Sequence, residues 1–196
     1  MRAPPSSHDR PPPNAAPAGR LKRLSLAIAA AGVLALPRAA HAQLAVSHSP
    51  STAPVLGTAI RGTSATTFSV STGGAVTRTS GDGIRLTGGG VTAPSITISC
   101  GLLNLSGLCA ARQVRVTIQP ASAGVASISK FRVSGLTGAT YKTGSAPAEN
   151  STITFDLNAL GLFGTAQFTV GMDVLVAAGA ASGAKTFDYT VTATFL

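Results

Sequence analysis

Residues 113–119, Gln-Val-Arg-Val-Thr-Ile-Gln, alternate polar and apolar side chains without a break, and this period of two constrains the fold more than any other feature. Successive side chains of a strand point to opposite faces. Val114, Val116 and Ile118 therefore share one face, with Arg115 and Thr117 on the other, whereas a helix would scatter them around its circumference. The same spacing recurs in Phe68 and Val70, in Ile96, Ile98 and Cys100, in Ile153, Phe155 and Leu157, and in Phe168 and Val170. It ends in a long alternation of Phe187, Tyr189, Val191, Ala193 and Phe195 with Asp188, Thr190, Thr192 and Thr194. Glycine-rich turns separate these runs, and no stretch carries a helical apolar stripe; residues 158–163 have room for one helical turn at most. The pattern predicts an all-β protein of about eight to ten short strands: a single antiparallel immunoglobulin-like β-sandwich, complete or lacking one strand. Residues 75–80 and 84–90 read as a hairpin around Gly81-Asp82-Gly83, because such residues tolerate positive φ. Gly171 is expected to mark a bulge or bend.

The first 42 residues read as a leader. Residues 1–20 are Pro-rich and lack apolar periodicity. Arg20, Lys22 and Arg23 then precede an apolar run at 24–36, and Ala40 and Ala42 form a small-residue site that places cleavage between Ala42 and Gln43. This run is shorter than the roughly 20 apolar residues that a membrane span needs. Removing 42 of the 196 residues leaves 154, the size of one domain: an extended N-terminal arm at 43–56, interrupted by Pro50 and Pro54, and a sandwich at 57–196.

Export also changes the charge. The remaining chain carries nine basic and five acidic side chains, for a net +4, against +9 for the whole sequence. The basic residues are scattered, without a run or interleaved aromatics, so nucleic acid is not an expected partner. His48 is the one histidine after the leader, and Asp82, Glu149, Asp156, Asp173 and Asp188 are dispersed. A metal site needs three or four ligands, and a nucleophilic serine needs an activating base. The glycine-rich pieces match no phosphate-binding fingerprint. The sequence thus predicts no catalytic residues, no cofactor, no metal and no enzyme.

Cys100 and Cys109 both fall in the exported part, and two cysteines in an oxidising compartment most simply form one disulfide. The loop that they close holds Leu102, Leu103, Leu105 and Leu108. These four leucines either plug one end of the sandwich or form a contact patch for another molecule.

Two resemblances follow from particular stretches. The segments LGTAIRGTSATTFSVSTGGAVTRTSGDGIRLTGGG, KFRVSGLTGATYK and QFTVGMDVLVAAGAASGAKTFDYTVTATF resemble a family of small secreted bacterial β proteins classed only as a domain of unknown function. The cysteine loop departs from that pattern. The end of the chain is also similar to that of chaperone-usher pilus subunits and the spore coat protein U group. Phe195 is penultimate, Ala193, Val191 and Tyr189 continue the alternation, and Gly183 stands fourteenth from the end. This second resemblance implies an assembly strand formed by Gly183, Phe187, Tyr189, Val191, Ala193 and Phe195. Its implied partners are a periplasmic chaperone, an usher and like subunits, and its implied site of action is the periplasm and then the cell surface. Two other expectations compete with it: a self-complete secreted module that binds a glycan or surface partner, and a small outer-membrane β-barrel.

Overall fold

A computed structural model describes residues 44–196 except 52–54, 61, 102–106 and 122–125. The leader, the Ala42/Gln43 cleavage site and Leu102, Leu103 and Leu105 lie outside the described residues. Twelve strands and one helical turn appear, in the order β1 (Leu44–Ser49), β2 (Val55–Ile60), β3 (Thr66–Val70), β4 (Val76–Ser80), β5 (Ile84–Arg85), β6 (Ser95–Cys100), α1 (Leu108–Ala111), β7 (Val114–Pro120), β8 (Ala126–Thr137), β9 (Ile153–Leu157), β10 (Thr165–Val176), β11 (Gly183–Thr186) and β12 (Tyr189–Phe195). The strand count exceeds the expected eight to ten because β5 spans only two residues and the start of the N-terminal arm is itself a strand.

All pairings between strands are antiparallel. The largest sheet is built on β10, whose first half pairs β6 and whose second half pairs β3, while β8 runs along its other edge. β1 extends this sheet beyond β6, and β4 extends it beyond β3. A second sheet has the order β12-β7-β9 and a third β11-β2-β5. The first two share one core. Phe168 of β10 meets Phe155 of β9 edge to face at 5.6 Å, and Phe131 of β8 meets Tyr189 of β12 at 6.0 Å.

The alternation read from sequence is the one that packs this core. Ile96, Ile98, Val114, Val116, Ile118, Leu157, Phe168 and Val170 are fully buried. Arg115, Thr154 and Gln167, at alternate positions, stay exposed. The apolar faces of β6, β7, β9 and β10 thus turn toward one another rather than outward.

Two local expectations are corrected. The hairpin around Gly81-Asp82-Gly83 does not form, because β4 pairs β3 and β5 pairs β2. The Asp82 carboxylate instead accepts four hydrogen bonds, from the backbone N–H and hydroxyl of both Thr63 and Ser64, at 2.6 to 3.0 Å. Buried Thr66 accepts a further bond from the Gly83 N–H at 2.8 Å, which holds this tripeptide as a corner between sheets. The real hairpin joins β3 to β4 through residues 71–75, where Gly74 has φ 83°.

Gly171 marks no bulge: burial keeps one parity along β10 from Ala166 to Val176. The irregularities fall on β8, where extra residues at Ser129 and at Gly135–Leu136 shift the register. Gly171 is required for space, since a Cβ there would sit 2.8 Å from both Arg132 Cγ and the Val70 carbonyl oxygen. The helical turn among the described residues lies at α1, and residues 158–163, given room for one turn at most, hold a non-helical turn at 162–163 with Phe163 at φ 57°.

Candidate functional site

The seam between β1 and β12 is the candidate docking site. β1 pairs β6 along its full length, with Leu44 opposite Cys100, Val46 opposite Ile98 and His48 opposite Ile96. β12 pairs β7 equally fully, with Tyr189 opposite Pro120 and Phe195 opposite Val114. The two strands pass side by side at the edges of their sheets, and no ladder joins them among the described residues. At one end the His48 ring packs on Tyr189 at 5.5 Å. At the other, Leu44 lies opposite Cys100, whose disulfide leads to Cys109 and on to Val114, the partner of Phe195. The strands therefore run in opposite senses.

Both strands carry an alternating half-buried face. Leu44, Val46, Tyr189, Val191, Ala193 and Phe195 pack against the core without being enclosed by it. Burial by these neighbours pushes the Tyr189 phenol up to about 12, because the phenolate would lose hydration there.

The structure divides the sequence-derived assembly strand in two. Tyr189, Val191, Ala193 and Phe195 share one face of β12, as the alternation implied. Phe187 is buried but lies in the two-residue break before β12. Gly183 belongs to β11, where it pairs Ala59 of β2 in the third sheet. A break between strands sends the two pieces to different sheets, and a period-two pattern passes through such a break unchanged. The arm, in turn, is a strand over Leu44–Ser49: Pro50 follows the alternation rather than interrupting it.

The disulfide joins Cys100 and Cys109 with Cα atoms 6.3 Å apart. Both ends are tied to one turn, since the Cys100 N–H donates to the Gly164 carbonyl at 3.2 Å and the Gly161 N–H donates to the Cys109 carbonyl at 3.0 Å. Leu108 is half-buried on α1. Beside the bridge, Leu162 and Phe163 are 63% and 62% exposed, an apolar pair that the sequence had not marked as a site. The signal available for it was the Gly-Leu-Phe-Gly string, since flanking glycines favour a turn over a packed element.

Besides Asp82, the side chains of Glu149, Asp156 and Asp173 are engaged structurally. Arg115 donates two bonds to Asp156 at 2.8 and 3.1 Å, and this pairing holds the Asp156 carboxyl below the usual range. Arg132 donates to Asp173 at 2.6 Å and to Glu149 at 3.0 Å. Among the described residues, no group of three or more His, Cys, Asp or Glu side chains is placed to hold a metal ion, and no helix is long and apolar enough to cross a membrane.

The chain matches no protein-family model, no curated protein and no solved structure.

Proposed function

We propose that this chain is an exported, fimbria-like structural subunit with an immunoglobulin-like sandwich that assembles by β-strand complementation. In this reading β1 is the strand exchanged between copies, and the edge that receives it is that of β6, alongside β12. The observation that carries it is the β1/β12 seam: β1 is held by a single ladder to β6 among the described residues, and its face of Leu44 and Val46 packs half-buried against the core edge. Main-chain pairing supplies affinity in such an exchange, and alternate side chains entering the core supply register. A signal peptide delivers the chain to the periplasm, where a chaperone protects the open edge and an usher passes it on to like subunits at the cell surface.

Deleting residues 43–49 tests this proposal. The truncated protein is expected to bind a synthetic Leu-Ala-Val-Ser-His-Ser peptide and to gain thermal stability from it, but not from the same peptide with Asp in place of Val46. Unchanged stability on deletion, with no response to the peptide, refutes it.

A second reading has its own observation. The exposed Leu162 and Phe163 beside the disulfide suit a self-complete module that contacts a partner through that corner. Loss of surface binding on replacing both by Ser, with the oligomeric state unaltered, would favour it.

A further inference from the structure

The failed hairpin leaves a space. β4 and β5 leave the Gly81-Asp82-Gly83 corner toward different sheets, and the region between them is a cavity of about 480 Å³ lined by Phe68, Val76, Arg78, Gly83, Ile84 and Arg85. That volume lies within the range of small-molecule sites. Its charge is one-sided. Neither Arg78 nor Arg85 pairs with a carboxylate among the described residues. The acid nearest in sequence, Asp82, is saturated by Thr63 and Ser64.

The two guanidinium groups are held by backbone oxygens. Arg85 donates from Nε to the Leu56 carbonyl and from Nη1 to the Gly89 carbonyl, both at 2.7 Å, while its Nη2 is buried with no partner among the described residues. Arg78 donates from Nη1 to the Gly83 carbonyl at 3.1 Å. A buried N–H donor without an acceptor is costly, and a planar guanidinium matches an oxyanion in both charge and geometry. Phe68 and Val76 supply an apolar wall, and Ile84, 53% exposed, an apolar rim.

We infer that this cleft binds a small amphiphilic anion: an oxyanion head group taken by Arg78 and Arg85, carried on a short apolar body that packs on Phe68, Val76 and Ile84. The site is separate from the β1/β12 seam, and neither conclusion depends on the other.

Amide NMR titration of the protein with hexanoate, hexyl phosphate, hexanol and inorganic phosphate tests the inference. Hexanoate or hexyl phosphate is expected to shift the resonances of residues 76–78 and 83–86, with hexanol and inorganic phosphate at least about tenfold weaker, since each lacks one half of the recognised group. The tighter of the two amphiphiles identifies the head group as carboxylate or phosphate. Hexanol binding as tightly as both, or no shifts at these residues with any probe, overturns the inference. Arg78→Gln, which removes one bond to Gly83, is expected to weaken the preferred amphiphile about tenfold at an unchanged Tm. Arg85→Lys retains a charge without the fork and is expected to weaken it less. Full affinity in both variants overturns the assignment of the arginines.

Discussion

Replacing Gly171 by Ala probes how the largest sheet is packed. The φ of Gly171 lies outside the left-handed region, so Ala has no backbone reason to be disfavoured, and loss of unfolded-chain freedom alone would stabilise the variant by roughly 0.4–1 kcal/mol. The contacts oppose this. The new methyl would sit 2.8 Å from Arg132 Cγ, 2.8 Å from the Val70 carbonyl oxygen and 2.9 Å from the Thr72 nitrogen. Two of these atoms are backbone and cannot rotate away. The third belongs to a side chain pinned by hydrogen bonds to Ser69, Val70, Asp173 and Glu149. Overpacking of this kind costs about 1–3 kcal/mol. The steric term exceeds the entropic one, for a net loss of about 1.3 kcal/mol and a Tm lower by about 3–5 °C in a domain of this size. Urea unfolding followed by circular dichroism measures the loss. A cycle with Arg132→Ala, which removes the Cγ, separates the side-chain clash from the backbone ones. If Gly171→Ala is neutral or stabilising, the close approach of β3 and the Arg132 stem to β10 is wrong as argued.

Three further outcomes follow from the same geometry. Cys100→Ser with Cys109→Ser removes a bridge across a sequence separation of nine, and the chain-entropy relation gives a loss of about 2–3 kcal/mol; equal urea midpoints with and without reductant would contradict this. The hydroxyls of Thr63 and Ser64, then their N–H groups, hold Asp82 far below the ordinary carboxyl value. Its contribution is thus complete above about pH 4 and is lost as pH falls below that. Asp82→Asn should flatten the acid limb of a Tm-against-pH profile, and an unaltered limb would rule out this role. Partial burial pushes the Tyr189 phenol up to about 12, so ultraviolet titration should show a late component that Tyr189→Phe diminishes, and stability should fall as pH rises from about 10 through 12; a late component unchanged by Tyr189→Phe would refute burial at the seam.

The core strands were legible because alternation and burial report the same thing. Ile96, Ile98, Val114, Val116, Ile118 and Phe155 lie on inward faces for the reason that they recur at every second position. Strand partners were less legible. Gly81-Asp82-Gly83 has hairpin composition, but Thr63 and Ser64, nearly 20 residues earlier, claim the Asp82 carboxylate and turn the tripeptide into a corner. Gly171 misled for a related reason: a glycine required by the approach of another strand looks in sequence like one required by a bend. The cleft between Arg78 and Arg85 had no local signature, since its two arginines belong to different sheets.

By itself, then, the sequence determined the all-β class, the inward faces, the pairing of two cysteines and the half-buried character of the last strand, because each depends on side-chain period or on residue type alone. Only the tertiary structure decided that Leu44–Ser49 completes a sheet, that Gly183 and Phe195 stand in different sheets, and that β1 lies beside β12. Which edges meet depends on hydrogen bonds and packing between residues distant in the chain, and a period of two is the same whichever neighbour a strand finds.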